Sequence, residues 1–290
     1  MLEDACAHSG LDICGAKLLR LGENALFVLA TSPIVVRIAR GEHLLPDVEK
    51  EVCVAHWLRR EGMPAARLAE LPSTPQPLLV RGRPVTFWQF IDARAERPPV
   101  RELGRILRQL HGLEQPEDVP LRELDPFGRI ERRLKAVPSS VPSDAVRFLT
   151  KRFHVLRERY QDVSFELSRG PVHGDAHTGN LLRTRSDGEV LLIDFEMFAY
   201  GPREWDLAVP AGYYQGLNWI SREEYETFVA AYGYDVIESP SFPVLRAIRE
   251  LSMTVWLMQL VDDRPQAAAE FSRRVSDLRN ESVERHWTPM

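Results

Sequence analysis

Short apolar runs separated by turn residues dominate the first ninety residues of the chain. Three such runs are Leu26–Ala30, Ile34–Ala39 and Pro84–Ile91. Apolar runs of this length between turn residues are typical of β-strands. Residues 47–62 instead repeat apolar positions at helical spacing and end in a glycine. The pattern therefore predicts a small antiparallel sheet that carries one helix.

The pattern changes to helical periodicity after Asp92. Val100–Gly112 is amphipathic, and a further helical stretch runs up to Tyr160. Tyr225–Tyr232 and Leu245–Val261 continue the same pattern. We therefore predict an α+β fold in two lobes, with a sheet-rich lobe at residues 1–92 and a larger, mainly helical lobe at residues 93–290.

Composition narrows the class of protein. Of the 290 residues, 44% are apolar and 27% are charged, which is typical of a globular protein. A net charge of −5 argues against a nucleic-acid partner, which would favour a basic face. The three cysteines lack metal-ligand spacing, no signal peptide begins the chain, and no apolar run suits a membrane. We expect a cytoplasmic protein, either a monomer or a homodimer.

One segment, residues 171–196, concentrates the residues that could carry chemistry. It contains His173-Gly174-Asp175, then Asn180 five residues after the aspartate, then Asp194. Phosphoryl transfer needs a carboxylate to receive a hydroxyl proton, and oxygen ligands to hold Mg²⁺ at the phosphates. Asp175 fits the base, and Asn180 and Asp194 fit the metal ligands. The order and the aspartate-to-asparagine interval equal those of the protein-kinase catalytic loop.

This set of motifs resembles the aminoglycoside phosphotransferase family, whose relatives include choline and homoserine kinases. The resemblance lies in residues 173–180 (HGDAHTGN), residues 193–196 (IDFE) and residues 202–208 (PREWDLA). It implies a bilobal protein-kinase-like fold, ATP (or GTP) and Mg²⁺ as cofactors, and a small hydroxylated molecule as acceptor. It also implies that Asp206 braces the catalytic loop.

The resemblance implies that residues 1–92 form the nucleotide-binding lobe and residues 93–290 the catalytic and acceptor-binding lobe. Gly22 and Asn24 lie in the turn that would cover the nucleotide, although this turn has one glycine where the family has three. Arg37 stands where the family usually has a lysine that contacts the phosphates, and Glu51 would pair with it. The adenine would rest on backbone groups of the connector 87–92, which includes Gln89 and Ile91.

Several other residues keep more than one interpretation. His173 fits a packed scaffold of the loop, whereas His177 fits either a loop filler or a contact near the transferred phosphate. The acceptor candidates, which equally fit helix packing, are Tyr213, Tyr214, Glu250 and Trp256. From residue 211 onward there are twelve acidic and eight basic residues. That excess would suit a neutral or cationic acceptor, although a general surface excess explains it more simply.

Three functions remain open from the sequence. The first is an antibiotic phosphotransferase that confers resistance or self-protection. The second is a metabolic kinase for an amino alcohol, a sugar or a similar metabolite. The third is a catalytically silent nucleotide-binding protein, which the arginine at position 37 and the glycine-poor turn would favour. Intact Asp175, Asn180 and Asp194 count against that third function.

Overall fold

The computed structural model describes residues 1–22, 24–280 and 283–290. Two compact units divide the chain. The first comprises Met1–Arg122 with His177–Ala199, and the second comprises Glu123–Ala176 with Tyr200–Met290. The lobe boundary near Asp92 stays a prediction. No helix within the described residues is long and apolar enough to cross a lipid bilayer.

A five-stranded antiparallel sheet dominates the first unit. In spatial order its strands are β1 (Lys17–Leu21), β2 (Asn24–Val28), β3 (Ile34–Ala39), β5 (Arg83–Gln89) and β4 (Leu78–Val80). In β3, Val36 and Ile38 are buried in one apolar cluster with Phe87 of β5. Because side chains alternate along a strand, Arg37 projects from the opposite face of the sheet.

Three helices belong to this unit: α1 (Leu2–His8), α2 (Leu45–Arg60) and α3 (Val100–His111). Hydropathy did not predict α1, whose Ala5 and Cys6 pack into the apolar cluster of the sheet. The helix predicted at residues 47–62 is α2, and it buries Lys50 and Glu51 beside its apolar residues. Charged side chains are almost never buried without a partner, so the elements that face this side of α2 must provide one for each.

A short hairpin follows His177 in the same unit. Its strands are β7 (Leu181–Arg183) and β8 (Val190–Leu192), with Gly188 in the turn between them. Strand β8 stops before Asp194. It ends because the Ile193 amide donates to the Asn180 carbonyl at 3.0 Å and Asp194 adopts a positive φ of 67°.

The second unit is mainly helical. Its helices are α4 (Gly128–Lys135), α5 (Ser143–Gln161), α6 (Glu204–Gln215), α7 (Arg222–Tyr232), α8 (Phe242–Leu257) and α9 (Pro265–Arg279), and β6 (Arg169–Val172) pairs with β9 (Ala199–Pro202). Helix α8 packs against α4, α5, α6 and α9. It begins three residues before the predicted Leu245 and ends four before Val261. The predicted α+β fold class is confirmed.

Candidate active site

A buried ion pair links β3 to α2. The guanidinium of Arg37 donates from Nη1 to Oε2 of Glu51, and from Nη2 to Oε1 at 3.1 Å. The side chain of Glu51 is only 2% exposed. Two parallel hydrogen bonds between guanidinium and carboxylate fix both distance and orientation, which a lysine could not do. The structure thus brings together the two residues that the resemblance paired.

Burial sets the electrostatics of this pair. Removal of the Glu51 carboxyl from water raises its pKa to about 7, although the charge of Arg37 acts to lower it. The charges of Glu196 and Asp194 raise the pKa of Glu51 further. Burial thus opposes the ionisation of Glu51, and the guanidinium of Arg37 favours its charged form.

Further acceptors surround the same guanidinium. With its amide oriented to satisfy the arginine, Asn24 accepts from Nη2 of Arg37 at 2.8 Å and from Nε at 3.1 Å. Glu196 accepts from Nη2 at 3.4 Å. In the predicted turn between β1 and β2, the Gly22 amide donates to the Asn24 carbonyl at 3.0 Å. Sequence reasoning missed Glu196, although it follows Asp194 in the motif that was recognised.

Lys50, a second residue that sequence reasoning missed, secures the segment after Asp194. Its buried ammonium donates to the carbonyl of Glu196 at 2.6 Å and to that of Phe198 at 3.1 Å. Burial lowers the pKa of this ammonium, opposed by the charge of Asp47. Phe195 packs edge-on against Trp88 at 5.8 Å between ring centroids. The backbone on both sides of Glu196 is thereby held to α2 and β5.

The two predicted metal ligands lie at the open end of the hairpin, because Asn180 directly precedes β7 and Asp194 follows the end of β8 by two residues. Asn180 is buried at the end of a short 3₁₀ turn that the side chain of His177 caps, since Nδ1 of His177 accepts from the Gly179 amide at 3.0 Å. The Ile193 amide donates to the Asn180 carbonyl, which places the backbone before Asp194 next to that of Asn180. Asp194 is exposed and its positive φ is uncommon for a residue with a side chain. Strained backbone of this kind clusters at functional sites.

The predicted adenine connector follows β5 in the first unit. The Gln89 amide is already used, because it donates to the Arg67 carbonyl at 2.9 Å, and the Phe90 amide donates to the Pro33 carbonyl at 2.8 Å. Within the described part of the chain, no hydrogen bond is recorded for the backbone of Ile91. Of the two predicted connector residues, Ile91 is therefore the one whose backbone could serve a ligand.

In the second unit, Asp206 braces the loop that bears Asp175. The fully buried carboxylate of Asp206 accepts from the His173 amide at 2.6 Å and from the Gly174 amide at 2.8 Å. Gly174 has a φ of 84°, which a residue with a side chain rarely adopts. The ring of His173 is buried, and its Nδ1 accepts from the Asp175 amide at 3.3 Å. These contacts are those of a scaffold, with Asp175 projecting from it.

Arg249 of α8 contacts the predicted base directly. Its Nη1 lies 3.3 Å from Oδ1 of Asp175, and its Nη2 donates to the Gly174 carbonyl at 3.0 Å. The guanidinium also stacks over the Trp205 ring at 4.4 Å. Asp175 itself remains 43% exposed, which leaves its second oxygen accessible from solvent. No motif marked Arg249 in the sequence.

A pocket in the second unit opens beside Asp175. It contains about 400 Å³ free of protein atoms, including its open mouth. Its lining residues are Asp175, Ala208, Val209, Gly212, Tyr213, Leu217, Arg246, Arg249, Glu250 and Met253. A more open groove follows α5, and none of the predicted site residues lines it.

Two of the four predicted acceptor residues line this pocket, and two do not. Tyr213 and Glu250 are wall residues. Tyr214 instead stacks on Tyr225, with ring centroids 5.0 Å apart, because it projects from α6 in a different direction. Trp256 lies near the end of α8, beyond Met253, and is absent from the lining. Tyr213 and Glu250 thus lie together at this pocket with Arg246 and Arg249, and the acceptor role of the four predicted residues stays a prediction.

Comparisons with known proteins agree with this geometry. The family described as "Phosphotransferase enzyme family" matches residues 17–251, which is most of the chain. Curated protein sequences give no significant match.

Solved structures of similar fold include enzymes with different acceptors. The amicoumacin kinase hAmiN, in complex with AMP-PNP, Ca²⁺ and Ami, aligns with a TM-score of 0.75 at 15% identity over 99% of this chain and 94% of that one. A microcompartment-associated aminopropanol kinase aligns with a TM-score of 0.71 at 19% identity, over 95% of this chain and 93% of that one. The choline kinase LicA from Streptococcus pneumoniae aligns with a TM-score of 0.66 at 17% identity, over 96% of this chain and 97% of that one. The kinase-like bilobal fold is thereby confirmed.

The buried pair yields a stability prediction. Replacing Arg37 with methionine leaves Glu51 buried without its cation, so we expect the free energy of unfolding to fall by about 3–5 kcal/mol. In this variant the pKa of Glu51 rises still further above its unfolded value. The loss should therefore be larger at about pH 8 than at about pH 5, because the carboxyl is protonated at the lower pH.

Urea unfolding at both pH values measures this effect. The exposed pair of Arg59 and Glu70 provides the control, since Arg59→Met should change stability by about 1 kcal/mol or less. Equal losses for Arg37→Met and Arg59→Met would contradict the assignment of a buried, compensated carboxylate.

A second prediction concerns the brace at Asp206. Asp206→Asn keeps the shape but offers one oxygen where two backbone amides need acceptors, so we expect a loss of about 1–3 kcal/mol. Amide hydrogen exchange at His173 and Gly174 should accelerate at the same time. Asp144→Asn, at an exposed surface pair with Arg279, is the control. Unchanged exchange at both amides in Asp206→Asn would refute the brace.

Proposed function

The chain belongs to the phosphotransferase enzyme family, and from this premise we propose that Asp175 is the base of a kinase that phosphorylates a hydroxyl group of a small molecule. Family membership confirms the predicted class of enzyme, an ATP-dependent phosphotransferase that acts on hydroxyl groups. The observation that carries the proposal is the carboxylate of Asp175, held by a rigid loop yet exposed at the mouth of a pocket.

The reaction assigns one step to Asp175. As the acceptor hydroxyl oxygen forms its bond to the γ-phosphorus of ATP, the carboxylate takes the hydroxyl proton. The bond from the γ-phosphorus to the oxygen bridging to the β-phosphate breaks, and ADP leaves with that electron pair. The contact with Arg249 and the hydrogen bond from the Asp175 amide to the His173 ring fix the direction of the carboxylate. This orientation is the main contribution that the loop can make to the reaction.

The residues at the open end of the β7–β8 hairpin fit a magnesium ion. Asn180 and Asp194 offer amide and carboxylate oxygens, which are the hard ligands that Mg²⁺ prefers. Among the described residues, no three histidine, cysteine, aspartate or glutamate side chains cluster as a protein-only metal site. A two-ligand site of this kind suits Mg²⁺, which keeps its remaining positions for phosphates and water. The ion would neutralise charge on the phosphates.

Arg37 is proposed to position the phosphates. Glu51, Glu196 and Asn24 hold its guanidinium on three sides, so its direction is set before a nucleotide arrives. A preorganised cation costs little reorganisation when it meets developing negative charge. Adenine is proposed to rest at the backbone of Ile91.

We propose an antibiotic as the acceptor, on the support of the fold shared with the amicoumacin kinase. An amino alcohol is the second candidate, because the aminopropanol and choline kinases share the fold equally well. Transfer of labelled γ-phosphate across a panel of hydroxylated antibiotics and amino alcohols separates the two. Absence of magnesium-dependent ATP turnover with every member would favour the silent nucleotide-binding alternative.

The role of Asp175 generates a kinetic prediction. Asp175→Asn is nearly isosteric and cannot accept the proton, so we expect kcat to fall by about 10²–10⁴-fold with the fold intact. Steady-state assays with a circular dichroism check measure this. The exposed Asp162 supplies the control, and Asp162→Asn should turn over like the wild type. A rate above roughly a tenth of wild type in Asp175→Asn would remove the assignment.

The role of Asp194 generates a binding prediction. Asp194→Ala loses a carboxylate ligand, so calorimetry should show weaker Mg–ATP binding and a flatter dependence of that affinity on Mg²⁺ concentration. Asp118→Ala, at an exposed pair with Arg60, is the control and should behave like the wild type. Should Asp194→Ala retain the full magnesium dependence, the cation site would lie elsewhere.

A further inference from the structure

The charges of the pocket beside Asp175 are unevenly exposed. Two arginines of α8, Arg246 and Arg249, line it together with Asp175 and Glu250. The two arginines stand three residues apart on the helix and so share one face. The side chain of Arg246 is 32% exposed, whereas that of Glu250 is only 3% exposed. Solvent in the pocket therefore meets more positive than negative charge.

Glu250 is compensated from behind. Nε of Arg285 lies 3.2 Å from its Oε2, and Arg285 is itself buried. Nε of Arg246 lies 3.2 Å from its Oε1. Both carboxylate oxygens of Glu250 thus face protein cations within the described residues. Oε2 accepts a hydrogen bond from Arg285, whereas Oε1 is buried next to Arg246 without a hydrogen bond.

The remaining carboxylate is also engaged. Asp175 pairs with Arg249, and the proposed reaction needs its exposed oxygen for the acceptor hydroxyl. Among Asp175, Glu250, Arg246, Arg249 and Arg285 there are three cations for two anions. The surplus positive charge lies at Arg246, the most exposed of the three arginines.

The backbone of α6 makes room for Arg246. A Cβ atom on Gly216 would lie 3.4 Å from Cδ of Arg246 and 3.0 Å from the Gly212 carbonyl. A Cβ atom on Gly212 would lie 3.8 Å from Cγ of Arg246. The stem of the arginine therefore lies along two glycines, and its charged end is directed at the pocket without a competing side chain from α6 at these positions.

From these contacts we propose that the acceptor carries an anionic group, a carboxylate or a phosphate, which binds Arg246 while its hydroxyl faces Asp175. The inference rests on the proposed function and narrows its substrate class. A guanidinium binds either anion with two parallel hydrogen bonds, which orients as well as attracts it. A polycation or a quaternary ammonium alcohol would meet Arg246 and Arg249 with like charge and no exposed carboxylate except the base. This reverses the sequence expectation of a neutral or cationic acceptor.

Matched acceptors test the charge preference. Pairs that share a hydroxyl but differ in one charged group, such as glycerate with glycerol, serine with ethanolamine, and glycerol 3-phosphate with glycerol, would be compared for γ-phosphate transfer and for binding by calorimetry. We expect the anionic member of at least one pair to be preferred by about tenfold to hundredfold, the effect of one charge-assisted hydrogen bond. Preference for the uncharged or cationic member, equal use of both, or no response to any carboxylate or phosphate would overturn the inference.

Substitutions at Arg246 assign the preference to that residue. Arg246→Gln should abolish the discrimination, Arg246→Lys should keep part of it, and Arg246→Glu should reverse it. Arg264→Gln, at an exposed arginine outside the pocket, is the matched control and should discriminate like the wild type. Unchanged discrimination in Arg246→Glu would overturn the inference while leaving the proposed kinase intact. Failure of the proposed kinase would show separately, as absence of magnesium-dependent ATP turnover by the wild type with every acceptor.

Discussion

A buried carboxylate is the constraint around which the first unit is arranged. Glu51 is inaccessible to water, and an isolated charge there would cost several kcal/mol. The sheet must therefore present a cation opposite α2, and Arg37 does so from the face of β3 that the apolar cluster does not use. The preceding residue, Lys50, binds the segment after Asp194. One turn of α2 thus ties the sheet and the metal-ligand segment to the same helix.

The second unit solves the corresponding problem with amides in place of a guanidinium. The carboxylate of Asp206 is fully buried, and two successive backbone amides satisfy it. The loop so held cannot reorient without leaving a buried charge unsatisfied. In both units a buried carboxylate thus fixes the geometry of a residue to which we assign a role in the reaction. The proposed function therefore depends on charges placed behind the residues assigned to the chemistry.

Residues marked by short intervals were predictable, and those that meet only through tertiary packing were not. Asp175, Asn180 and Asp194 stand in an ordered motif, and the family resemblance assigned Arg37 and Glu51. Arg249 contacts Asp175 across 74 positions, so no local pattern signals it. Helical spacing from Glu250 could have indicated Arg246, at four residues, as its neighbour. Tyr214 and Trp256 lie outside the pocket lining, because residue type alone does not give the direction of a side chain on a helix.

Arg285 ties the charge of the pocket wall to a segment without regular structure. It belongs to residues 283–290, which lie outside the described helices and strands, yet its buried guanidinium neutralises Glu250 in the wall. Loss of one partner of a buried pair leaves the other charge uncompensated, at a cost of about 3–5 kcal/mol. We therefore expect positions 250 and 285 to change together during evolution, so that an irregular segment limits which charges the pocket can acquire.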